Sequence, residues 1–129
     1  MKPLLFAVLC TFYLTANSTD YYLSPTGNDN NPGTIASPFF SLNKAWSVIK
    51  AGDAVYLRGG TYLYPKMQYL QARNGTAGNL IKIWAYPGET PILTKGAGYT
   101  NNYFRGGCYF SGNYFHFKGL DISGFTQQD

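Results

Sequence analysis

Three short segments of this chain can be laid over one another, and that self-similarity limits the fold more than any other feature of the sequence. They read Asp53-Ala54-Val55-Tyr56-Leu57-Arg58, Asn79-Leu80-Ile81-Lys82-Ile83-Trp84 and Asn113-Tyr114-Phe115-His116-Phe117-Lys118. Each opens on Asp or Asn and then alternates. Val55, Ile81 and Phe115 are expected to form one apolar column and Leu57, Ile83 and Phe117 a second, while Tyr56, Lys82 and His116 point the other way. Each segment therefore reads as a strand with one buried and one wet face.

A second short strand is predicted after each, at 61–64, 91–94 and 120–123, beyond turns marked by Gly59-Gly60, Pro87-Gly88 or Gly119. The anchors Val55, Ile81 and Phe115 are 26 and 34 residues apart, a period that signals stacked coils with loops of unequal length. A hairpin meander leaves the recurrent Asp or Asn unexplained. Stacked parallel coils explain it, because side-chain amides in register at a turn can bond along the stack every ~4.8 Å. The expected fold is all-β, a parallel β-helix of about three coils. Ahead of it Leu42, Ala45, Trp46 and Ile49 recur at helical spacing, with Ser41 as N-cap and Gly52 as stop, so a short helix at about 41–50 is predicted. Such a helix covers the apolar mouth of the first coil, with Trp46 and Ile49 facing in.

Residues 1–18 read as an export signal: basic Lys2, an apolar run from Leu4 to Leu14, and small residues at Ala16 and Ser18. The run is shorter than the ~20 residues of a membrane span, so no membrane association is expected after cleavage, and the expected location is extracellular or periplasmic. Cleavage removes Cys10 and leaves Cys108 alone as a small apolar residue, without an intramolecular disulfide. It also removes Lys2, leaving nine basic residues against six acidic, a net of +3. That bias is compatible with an acidic polymer and too weak for nucleic acid.

From Tyr21 onward the sequence resembles a known family. The residues are Tyr21-Tyr22-Leu23-Ser24-Pro25-Thr26-Gly27-Asn28-Asp29, Asn31-Pro32-Gly33-Thr34, Ser37-Pro38-Phe39, Gly52 to Tyr62, Tyr86-Pro87-Gly88-Glu89-Thr90-Pro91 and Asn113 to Ser123. They resemble the N-terminal region of secreted right-handed parallel β-helix polysaccharide lyases of the pectate-lyase-like family nine type. The resemblance implies calcium-assisted β-elimination of uronic-acid polymers such as pectate, with the working residues on the strand preceding the aligned one, in middle coils. Here that strand would be 108–111. The family's calcium-binding Asp cluster and catalytic base have no counterpart in this sequence. No catalytic residue, metal ligand or cofactor is therefore expected within these 129 residues, and the chain is expected to be truncated relative to the family.

Other candidates are weighed residue by residue. Arg58, Trp84 and Lys118 share an outward column in the alignment, a basic and aromatic stripe that could stack on and pair with an acidic sugar, or else snorkel over an exposed sheet. Asn28-Asp29-Asn30-Asn31 reads as a turn network leading to the helix rather than a calcium loop, having one carboxylate. His116, the sole histidine, is expected to be solvated, and Asp53 to bond a turn. Three functions remain open: the N-terminal part of a lyase lacking its catalytic coils, a non-catalytic module binding polysaccharide or a protein, and a glycoside hydrolase. The last needs paired carboxylates, which no strand here carries. The final coil has no recognisable cap and is expected to be open to self-association.

Overall fold

The computed structural model describes residues 17–100 and 107–125. The leader expected at 1–18 falls outside them, but for Asn17 and Ser18. In chain order the elements are β1 (Asp20–Leu23), α1 (Leu42–Val48), β2 (Ala54–Leu57), β3 (Gly60–Lys66), β4 (Gln68–Leu70), β5 (Ile81–Ala85), β6 (Pro91–Thr100), β7 (Cys108–Phe110), β8 (Phe115–Lys118) and β9 (Asp121–Ile122). Every ladder between these strands is parallel. They form three sheets, β1-β2-β5-β8, β3-β6-β9 and β4-β7, so the chain visits each face once per coil, as a parallel β-helix requires.

Two features depart from expectation. First, β1 pairs with β2, Tyr21 opposite Val55, so the four-stranded sheet begins one rung earlier than the repeats indicated. Second, the register between the first two repeats is displaced by two residues: Val55 lies opposite Ile83, not Ile81, and Tyr56 opposite Trp84. Between the second and third repeats the expected columns form, Ile81 with Phe115 and Ile83 with Phe117. A slip of two preserves which side chains point inward, so the apolar alternation is blind to it.

The turns that open the three repeats also differ from one another. Asp53 is buried and acts as a corner bracket, Oδ1 accepting from Thr19 N (2.8 Å) and Oδ2 from Lys50 N (2.8 Å). Its turn-bonding role is as expected, but it does not stack on Asn79 and Asn113. Asn79 closes a tight turn with Thr76 through two backbone bonds of 3.0 Å, while Asn113 N donates to Asn74 Oδ1. The expected amide ladder is replaced by three separate turn locks. Gly52 permits the corner before Asp53, at φ +93°.

The helix is shorter than expected and is held at both ends. Ser41 Oγ accepts from Lys44 N as N-cap and donates to Asp29 Oδ2 (2.6 Å), whose Oδ1 accepts from Phe40 N and Ser41 N. Asp29 is thus the clamp of the turn network. At the other end, the Arg73 guanidinium donates to Ile49 O (2.8 Å) and Ser47 O. Along its flank, Asn43 stands in for a missing strand beside β4: Oδ1 accepts from Tyr69 N and Nδ2 donates to Met67 O. An open sheet edge is thereby closed by one side chain.

The interior is a set of inward columns. Leu23, Leu42, Ile49, Leu57, Ile81, Ile83, Leu93, Tyr62 and Tyr64 are all buried, with Trp46 among them and its indole N–H bonded to Gln71 O. Trp46 and Ile49 face in, as the helical spacing predicted. Burial pushes the pKa of the Tyr64 hydroxyl well up, so the phenol stays neutral.

Candidate functional site

The outer face of the four-stranded sheet gathers two of the three predicted binding residues, Trp84 and Lys118. Outward positions on successive strands align as Tyr22, Tyr56, Trp84 and Lys118. Tyr22 stacks on Tyr56 at 5.7 Å between ring centroids, and Tyr56 meets Trp84 edge-on at 6.2 Å. Two ammonium groups flank the indole: Lys82 Nζ lies 5.5 Å and Lys118 Nζ 5.4 Å from the ring centroid. The Trp84 indole N–H donates to His116 Nδ1 (3.0 Å), and the two rings stand nearly perpendicular. His116 is exposed, as expected, and it fixes the plane of Trp84. Trp84 and Lys118 are therefore brought together, joined by Lys82, His116 and Tyr56.

Arg58 does not belong to that column. With the register displaced, its guanidinium sits 4.8 Å over the Tyr86 ring, and it is committed to a carboxylate. Nε and Nη2 both reach Glu89 Oε1 (3.0 and 2.9 Å), Nε also reaches Oε2 (2.9 Å), and Gly59 N donates to Oε2 (2.6 Å). This fork fastens the turn after β2 to the turn before β6. The Arg58 bonds, and then the Gly59 amide, hold the Glu89 carboxyl below the usual carboxylate range. The same partner raises Arg58. Glu89 was not singled out by the sequence, although its place in the Tyr-Pro-Gly-Glu turn could have suggested it.

A depressed carboxylate stabilises the fold above its unfolded pKa, and the contribution disappears as pH falls through the folded value. Glu89→Gln is therefore expected to melt slightly below the wild type at pH 7, with the gap closing in acid. Thermal melts from pH 7 to 3 measure it. A gap that widens in acid would contradict the assignment.

The two-stranded sheet, β4 and β7, presents Tyr69 and Tyr109 outward, with centroids 6.2 Å apart. This is the strand that the family resemblance assigns to the working groove. Inward on β7, the Cys108 thiol packs against the core and is pushed up to about 12 by burial. It stays protonated and is a poor nucleophile. Among the described residues no three of His, Cys, Asp and Glu cluster, and both oxygens of Asp29 are engaged by Phe40 and Ser41.

A stack of parallel coils on three sheets defines the class: a parallel β-helix. The family model "Pel9A-like, right handed beta helix region" matches residues 21–129, and the chain belongs to that family. Pectate lyase L of Paenibacillus polymyxa is 37% identical over 123 residues, covering 92% of this chain and 27% of that protein. Pectate lyase PEL9 of Emericella nidulans is 39% identical over 86 residues, covering 67% of this chain and 21% of that protein. Among solved structures, a rhamnogalacturonan lyase superposes with a TM-score of 0.72 at 31% identity, covering 82% of this chain and 28% of that one. The chain thus spans about a quarter of the length of these relatives.

Proposed function

We propose that this chain supplies the N-terminal coils of a secreted polysaccharide lyase that cleaves a uronic-acid polymer such as pectate by β-elimination. The observation that carries the reading is the family match across 21–129, together with named lyases among the relatives and the solved structures. In that reaction a base removes the C5 proton of a uronate, the electron pair forms the C4–C5 double bond, and the glycosidic bond at C4 breaks, its oxygen taking a proton. The base and the calcium that assists it are assigned to coils beyond those described. The β4-β7 face, with Tyr69 and Tyr109, would open the groove into which such coils continue. Secretion rests on the leader-like residues 1–18.

Two reaction mixtures test this. The 129-residue chain with calcium and polygalacturonate is expected to give no rise in the ultraviolet absorbance of unsaturated product. The protein encoded by a reading frame extended through further coils is expected to give a clear one. Strong activity from the short chain would place the base inside it and overturn the assignment. Inactivity of the extended protein on every uronate polymer would sink the lyase reading.

A further inference from the structure

The platform on β1-β2-β5-β8 has no evident structural duty. Its rings lie outside the core, and its cations face no acid: among the described residues the single ion pair is Arg58 with Glu89, which leaves Lys82 and Lys118 without a carboxylate within 4.0 Å. Both instead rest against one indole. The Trp84 N–H is already satisfied by His116, so what the side chain offers outward is its ring, in a fixed plane. Tyr56 and Tyr22 extend the aromatic surface across two earlier rungs. Burial, and then the charge of Asp20 on the far strand β1, raises the pKa of Tyr56. Positive charge is therefore concentrated over β5 and β8.

We propose that this outer face, centred on Trp84, binds a polyuronate chain. A hexuronate residue has an apolar C–H face that stacks on an aromatic ring and one carboxylate that seeks a cation. Trp84 with Lys82 and Lys118 presents both complements within a single side chain's width. The plate is pre-set by the His116 bond, which lowers the ordering cost of binding. Arg58 contributes by holding Tyr86 and the adjoining turn, its charge being taken by Glu89. The choice of a uronate polymer rests on the lyase reading above, while the surface itself rests on the geometry.

The two tryptophans make the test direct. Trp46 is buried and Trp84 is half-exposed, so quenching of intrinsic fluorescence by polygalacturonate reports on Trp84. The wild-type chain is expected to show saturable quenching and retarded migration in gels containing the polymer, weakened by added salt. Lys82→Gln with Lys118→Gln, both on the surface, is expected to weaken binding about tenfold or more. Trp84→Ala should abolish retardation, with an unchanged circular dichroism spectrum showing that the coils persist. Lys66→Gln, at an exposed lysine of β3 on a different sheet, should leave affinity within about twofold. Retardation unaltered in the lysine pair, equal retardation by neutral dextran, or no binding by the wild type would each overturn the proposal. An inactive extended protein that still binds polygalacturonate through Trp84 would fault the lyase reading alone.

Discussion

Ile83→Ala is expected to lower the unfolding free energy by about 2–5 kcal/mol, the range for emptying a well-packed core site. Ile83 is 1% exposed and lies in register between Val55 on the preceding coil and Phe117 on the following one. In a stack of coils each rung contacts only its neighbours, so a cavity on the middle rung weakens both couplings. A domain of this size holds roughly 5–15 kcal/mol in all, so the variant gives up a large part of it. Urea unfolding followed by circular dichroism measures the loss. Ile35→Ala, at a site 50% exposed, serves as the comparison and should stay within about 0.5 kcal/mol of wild type. Equal midpoints for the two variants would show that the inward columns do not carry the fold.

Periodicity tells which side chains face inward, and it was right at Val55, Leu57, Ile81 and Ile83, all of them buried. It says nothing of which rung sits over which, because a slip of two residues preserves the pattern. That slip separated Arg58 from Trp84 and put Tyr56 in its place. The turns add contacts that the pattern does not carry, such as the bond from Thr19 N to Asp53 Oδ1 across 34 positions. Strand β4 was missed for a related reason. Gln68-Tyr69-Leu70 is three residues long and begins with a buried glutamine, whose amide is matched by Asn43 N and Lys66 O. Nothing in its own composition distinguishes it from a loop. At the candidate site, Lys118 and Trp84 were legible as outward positions, whereas Lys82 and His116 were seen only as wet, their convergence on one indole requiring the fold.

The coil of β7, β8 and β9 shows what the same columns do at the edge of the described residues. Val55 and Ile83 are 1% exposed but Phe117, next in line, is 37% exposed. Tyr62 and Leu93 are fully buried but Ile122 is 43% exposed, and Leu70 at 1% is followed by Phe110 at 38%. On each of the three sheets the interior opens at the same level, beside strands whose outer hydrogen-bonding edge is unpaired among the described residues. Phe110 and Phe117 close partly over the gap, 4.6 Å between ring centroids. Strand edges beside apolar side chains promote pairing with another chain. The 129-residue polypeptide on its own is therefore expected to associate with a second copy end to end, its weight-average mass rising with concentration in sedimentation equilibrium. Phe117→Lys places a charge at the centre of that face and should return the chain to monomer. A mass that stays monomeric for the wild type across a wide concentration range would show that the three phenylalanines, Phe110, Phe115 and Phe117, suffice as a cap.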